Sequence, residues 1–179
     1  MTPEAFIAHL TGLAPELMSS DTPHAEFVAT IAQDADNIHD LAAACSGDLS
    51  PLMASSVLGW LYDARPECFD PASTLSWFPR GRDIGAANAL SQFLISRGIF
   101  SPDDMLDRLL DLIRTTTDEN LLNLYSYACW GIINGRSIRA SDGKTTGCLI
   151  NVDWDALNHV RDLSHLPDYA RNTLAECKP

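Results

Sequence analysis

Apolar positions recur along most of this chain at intervals of three and four residues, the spacing that lines one face of an α-helix. Phe27, Ile31, Ala35, Ile38, Leu41 and Ala42 predict one long helix over about 23–45. Leu52, Val57, Leu58, Leu61 and Tyr62 predict the next, over 50–65, ending before Pro66. Ile84, Ala87, Leu90 and Leu94 predict a third, stopped by Gly98. Met105, Leu109, Leu112 and Ile113 mark a helix over 101–116. Leu121, Leu122, Tyr125, Ala128, Cys129 and Ile132 mark another over 118–134, stopped by Gly135. Short C-terminal helices fit 153–163 and 167–176. A first helix over 3–18 contains Pro15, which kinks or splits it.

Helix starts are marked by a repeated pair. Thr2-Pro3, Thr22-Pro23, Ser50-Pro51 and Ser101-Pro102 each set a hydroxyl residue before a proline. The hydroxyl accepts a bond from an orphan N–H of the first turn, and proline at the first helical position has no N–H to waste. Acidic residues follow at Glu4, Glu26, Asp103 and Asp104, where they complement the positive end of the helix dipole.

Two stretches break the rhythm. Residues 66–82 carry three prolines and a glycine and read as a long loop. Residues 135–152 hold Asp142-Gly143 between short β-tolerant runs, compatible with a small β-hairpin near 136–150. The helices over 101–116 and 118–134 are joined by almost nothing and should pack antiparallel, and those over 23–45 and 50–65 suit a second pair. Leu58-Gly59-Trp60-Leu61-Tyr62-Asp63-Ala64 echoes Leu122-Asn123-Leu124-Tyr125-Ser126-Tyr127-Ala128. The expected fold is all-α, a single helical domain over 1–179, with pairs that resemble HEAT-type repeats or close into an irregular bundle.

Composition enters chiefly through charge. The chain has 179 residues, 46% of them hydrophobic, enough for a core without disulfides or metal. Twelve basic residues against 24 acidic ones leave a net charge of −12, and 18 of the acids are Asp. A phosphate backbone would be repelled, which argues against nucleic acid, and a basic protein would be steered in. No apolar run approaches the ~20 residues that cross a bilayer. The N-terminus lacks the basic start and apolar stretch of a secretory signal. Five cysteines, an odd number without a C-x-x-C pair, suit free thiols. The expectation is a soluble, cytoplasmic protein.

Candidate chemistry is sparse. Gly143-Lys144-Thr145-Thr146 fails as a phosphate loop, because Ile138 stands where the motif needs glycine. No G-x-S-x-G or H-E-x-x-H is present, and no pattern implies a cofactor. His39-Asp40 is the dipeptide that names the helical HD-type metal phosphohydrolases; His24 and one of Asp103, Asp104, Asp107 or Asp111 would have to complete the metal shell. His39 and Asp40 fit equally as charges near a helix end.

Asp103, Asp104, Asp107 and Asp111 are the clearest charge feature. They fall on one side of helix 101–116, opposite Met105, Leu109 and Leu112. Dipole complementarity accounts for the first two. Asp107 and Asp111 are like charges one turn apart that cost a few tenths of a kcal/mol. Asp104, Asp107 and Asp111 therefore stand as candidate contacts to Arg and Lys of a partner. Trp77, Arg80 and Arg82 in the loop Trp77-Phe78-Pro79-Arg80-Gly81-Arg82 are further candidates, since Trp and Arg anchor interfaces. The competing reading tucks Trp77 and Phe78 over the core. Arg136, Arg139 and Lys144 cluster in the second long segment.

In size, acidity and the helical-pair pattern of roughly residues 23–134, the chain resembles the small helical immunity proteins that neutralise bacterial toxins, and other helical inhibitors. The resemblance transfers no residue role. It implies a non-catalytic protein whose acidic face docks on a basic toxin domain and blocks its active site. The alternative is the HD-type phosphohydrolase centred on His39-Asp40.

Overall fold

The computed structural model describes residues 1–12, 23–34, 36–135, 138–139, 145–146 and 150–178. The fold is all-α, as the apolar spacing predicts. Two compact units divide the chain at Met1–Ala86 and Ala87–Pro179.

In the first unit, α1 (Pro3–Thr11), α2 (Pro23–Asp34), α3 (Ile38–Asp48) and α4 (Pro51–Ala64) are followed by α5 (Pro71–Leu75), with 3-10 turns at Pro66–Cys68 and Phe78–Arg80. α2 and α3 both pack on α4, and α1 packs on α3. Phe6, Leu10, Val28, Leu41, Val57 and Leu61 are fully buried between them. The expected single helix over 23–45 is in fact two. Asp36 and Asn37 form a turn, and the Asn37 Nδ2 donates to the Met1 carbonyl at 3.3 Å. Asp and Asn side chains compete with helical bonding in this way, and apolar spacing does not register it. In α3 every residue from Leu41 to Gly47 is buried. Its run of small side chains lets other elements approach it closely.

Residues 66–82 are not the open loop that their prolines suggest. Asp70 caps α5, its Oδ1 accepting from the Ala72 and Ser73 N–H groups at 2.9 and 3.0 Å. Trp77 and Phe78 are only 2% and 1% exposed, and the Trp77 ring meets Phe69 edge-on at 5.4 Å. Trp77 is thereby withdrawn from the candidate partner contacts: its indole packs in the core of the first unit.

The second unit holds α6 (Ala86–Ser96, entered after its first residue), α7 (Pro102–Thr115), α8 (Glu119–Asn134), α9 (Trp154–Arg161) and α10 (Asp168–Ala175). α7 packs on α8 and α9, and α10 packs on α8 and α9. Three residues join α7 to α8, so the chain reverses there as expected. The two echoed segments lie on α4 and α8, each the second helix of a packed pair. Ile138–Arg139 and Thr145–Thr146 form a two-residue antiparallel ladder, Ile138 opposite Thr146 and Arg139 opposite Thr145. The expected turn at Asp142-Gly143 lies outside the described residues, as do Pro15, Thr22, Ala35, Arg136, Lys144, Cys148 and the Arg139 side chain.

The proline starts are real, but their caps differ. The Thr2 and Ser101 hydroxyls accept from the Ala5 and Asp104 N–H groups at 3.3 and 3.1 Å, whereas Ser50 makes no side-chain cap. Two apolar positions of the predicted stripes face solvent instead: Leu52 is 73% and Ile84 42% exposed.

α6 ends at a residue chosen for its backbone. Gly98 has φ +69°, the one positive φ among the described residues. Its N–H bonds the Ile95 carbonyl and the Ile99 N–H bonds the Leu94 carbonyl, both at 3.0 Å, which closes the helix as a Schellman motif. Gly98→Ala is expected to cost about 1 kcal/mol, because a Cβ is penalised in the left-handed region. A Cβ there meets nothing within 4 Å, so the loss reads the backbone term alone. A urea midpoint equal to wild type would refute the assignment.

Candidate functional site

α7 separates two kinds of surface. Met105, Leu106, Leu109, Leu110 and Ile113 are buried, and Asp104, Asp107, Arg108, Asp111 and Arg114 face out. The four aspartates singled out by the sequence have four different situations. Asp103 is half-buried and accepts from the Asn151 N–H at 3.1 Å, tying the segment before α9 to the start of α7. Asp104 is exposed; its carboxylate accepts a hydrogen bond from the Ser101 hydroxyl at 2.6 Å while its own N–H donates to the same oxygen, completing the cap. Asp111 accepts from Arg114 Nη1 at 2.7 Å. Asp107 is exposed and has no hydrogen-bonding or ionic partner among the described residues. The Asp111–Arg114 pair is exposed on both sides, 59% and 39%. Such a pair contributes at most about 1 kcal/mol, so Asp111 is readily given up to a competing cation.

A cleft in the first unit joins candidates that lie far apart in sequence. Pro3, Glu4, Ile7 and Ala8 of α1, Asp40, Ala44 and Asp48 of α3, and Arg80 and Arg82 line a space of about 560 Å³. Arg82 reaches Asp48 at 3.2 Å. The cleft sets three carboxylates against two guanidiniums, so it is close to neutral. Glu4 and Asp48 had no sequence signal beyond helix-end charge; only the packing of α1 on α3 brings them to Arg80 and Arg82.

His39 and Asp40 part company. Asp40 lines the cleft and His39 does not. His39 acts on Asp70 instead, whose carboxyl is held below the usual range first by the Ser73 hydroxyl, then by backbone N–H groups, and least by His39. Among the described residues, no group of three or more His, Cys, Asp or Glu side chains is arranged to hold a metal ion.

Three of the thiols, Cys45, Cys129 and Cys177, are buried and lie far from nucleophilic form. Burial pushes Cys45 and Cys129 up strongly, and Cys177 up to about 11. A reactive cysteine needs the opposite shift. Among the described residues no helix is long and apolar enough to cross a membrane.

Comparison with protein-family models, with curated proteins and with solved structures returned no match.

Proposed function

We propose that the chain is a non-catalytic protein-binding module that captures a basic partner, in the manner of an immunity protein or inhibitor covering a toxin's active site. One observation carries the reading. Asp104, Asp107 and Asp111 stand exposed along the outer face of α7 beside Arg108 and Arg114, and Asp107 makes no ion pair among the described residues. The distant Asn151 N–H engages Asp103 and the helix cap engages Asp104, which leaves Asp107 and Asp111 as the charges that neither contact uses. The net charge of −12 extends the same field over the molecule and favours encounter with a basic surface. Arg80 and Arg82 line the cleft with Glu4, Asp40 and Asp48, and Arg82 pairs with Asp48 while its side chain stays 80% exposed.

The test is kinetic. A partner captured on the wild-type chain is mixed in stopped flow with wild type and with the Asp104/Asp107/Asp111→Asn variant. Charge complementarity acts mainly on encounter, so association at low salt is expected to slow by about tenfold, with dissociation little changed. The gap is expected to close at high salt, where the Debye length falls to ~3 Å at 1 M. Equal association rates at low salt would remove the α7 face from the reading.

A further inference from the structure

A recess on the second unit has a chemistry of its own. Tyr127 and Trp130 stand one turn apart on α8, out of phase with the buried row of Tyr125, Ala128, Cys129 and Ile132. Their rings stack with centroids 5.5 Å apart and planes 17° from parallel. Across from them α10 presents Tyr169, Asn172 and Thr173, with Glu176 just beyond its end. These side chains line a recess of about 220 Å³. Tyr169 is 44% exposed, and Tyr127 and Trp130 are half-buried. The end of α10 is held in place by Arg161 of α9, whose guanidinium donates to the Leu174 and Cys177 carbonyls. The wall carrying Glu176 is therefore fixed before any ligand arrives.

Size, charge and shape narrow the ligand in turn. Pockets for drug-sized molecules run to roughly 300–1,000 Å³, so this one suits the head of a single side chain. Aromatic faces are electrically negative, and Glu176 adds a carboxylate with no ionic partner among the described residues. An anion is repelled by both. A neutral apolar group would cover the carboxylate without satisfying it, which costs free energy. A cation satisfies the rings and the carboxylate together. Of the two basic side chains, lysine is a compact, strongly hydrated point charge. Arginine is flat, weakly hydrated, stacks on aromatic rings and meets a carboxylate with two parallel N–H groups.

We infer that Tyr127, Trp130, Tyr169 and Glu176 form a receptor recess for an arginine side chain on the surface of a basic protein partner. That the arginine comes from a protein rests on the reading above. The stacking site itself does not.

The experiment is a titration of the ¹⁵N-labelled full chain with the peptide acetyl-Gly-Arg-Gly-amide and its lysine and citrulline counterparts. The Trp130 indole N–H, assigned with Trp130→Phe, is the readout. The arginine peptide is expected to shift it saturably, together with amides of residues 169–176, the lysine peptide more weakly, and citrulline, which keeps the shape and loses the charge, not at all. Glu176→Gln is expected to weaken the arginine peptide about tenfold, the loss for a hydrogen bond whose acceptor is no longer charged, while the rest of its spectrum superimposes on wild type. Equal shifts by citrulline, no saturable shift by arginine, or a shift by maltose in its place would each overturn the inference. Saturation by the arginine peptide alongside unchanged partner kinetics in the α7 variant would uphold the recess and sink the α7 face.

Discussion

Gly47→Ala is expected to destabilise the protein by about 2 kcal/mol and to move Arg80, although alanine is the better helix former. Two effects oppose each other at this position. Gly47 lies within α3, where replacing glycine gains up to about 1 kcal/mol of helix propensity. A Cβ there, however, would come within 2.5 Å of the Arg80 carbonyl oxygen and 2.9 Å of the Arg80 Cβ. The first obstacle is backbone, so the 3-10 turn Phe78–Arg80 must retreat as a unit, and Phe78 is part of the core. Overpacking of this kind typically costs 1–3 kcal/mol and occasionally more, which outweighs the propensity gain. Urea denaturation gives the magnitude, and amide shifts confined to residues around 77–82 give the location. A stabilised variant would mean that the turn gives way freely, and that the cleft holding Arg80 and Arg82 is not rigid.

Arg171→Met is expected to cost about 2–3 kcal/mol, far more than a half-exposed side chain usually carries. α9 and α10 exchange arginines across their C-terminal ends. Arg171 of α10 donates to the carbonyls of Arg161, Leu163 and Leu166 at 2.8, 3.1 and 3.2 Å, around the end of α9. Arg161 of α9 returns the favour to Leu174 and Cys177 at the end of α10, with Nη1 on the Asn158 side chain at 2.8 Å. The last carbonyls of a helix have no partner within it, and a cation there also meets the negative end of the dipole. These carbonyls are part-buried, and that of Leu163 keeps the Leu166 N–H at 3.2 Å, so the loss falls on those of Arg161 and Leu166; leaving such an acceptor unsatisfied costs about 1–3 kcal/mol. Methionine keeps the bulk of the stem and removes all three donors at once. Arg171→Lys is expected to restore less than half, because one ammonium cannot span three carbonyls. The urea midpoint at constant slope reads the loss. A change within about 0.5 kcal/mol, the range of ordinary surface substitutions, would show that water serves these carbonyls equally well.

Much of the candidate surface was legible along the chain, and the reasons for the exceptions are physical. The acidic stripe of α7 was readable because a helix puts residues three and four apart on one face whatever surrounds it. Which of its aspartates are spoken for was not, since Asp103 is engaged by Asn151, 48 positions away. Trp77 carried an ambiguous signal: an aromatic beside prolines and arginines suits an interface or a core, and burial against Phe69 decides for the core. Tyr127, Trp130 and Tyr169 left a fainter trace. The first two fall out of phase with the apolar stripe of α8, a hint of exposed aromatic surface, but Tyr169 and Glu176 join them only because α10 folds back on α8.

By itself the sequence determined the helical class, the hydroxyl–proline starts of α1, α4 and α7, the stops at Gly98 and Gly135, and the acidity of the whole. These follow from backbone sterics, local hydrogen bonding and counted charges, which act over a few residues or over none in particular. Tertiary structure alone decided the withdrawal of Trp77, the meeting of Asp40 with Arg80 and Arg82, the crossed arginines of α9 and α10, and the recess of Tyr127, Trp130, Tyr169 and Glu176. Each of these depends on which helix lies against which, and that is set by the burial of side chains distant in sequence, a sum that no local spacing contains.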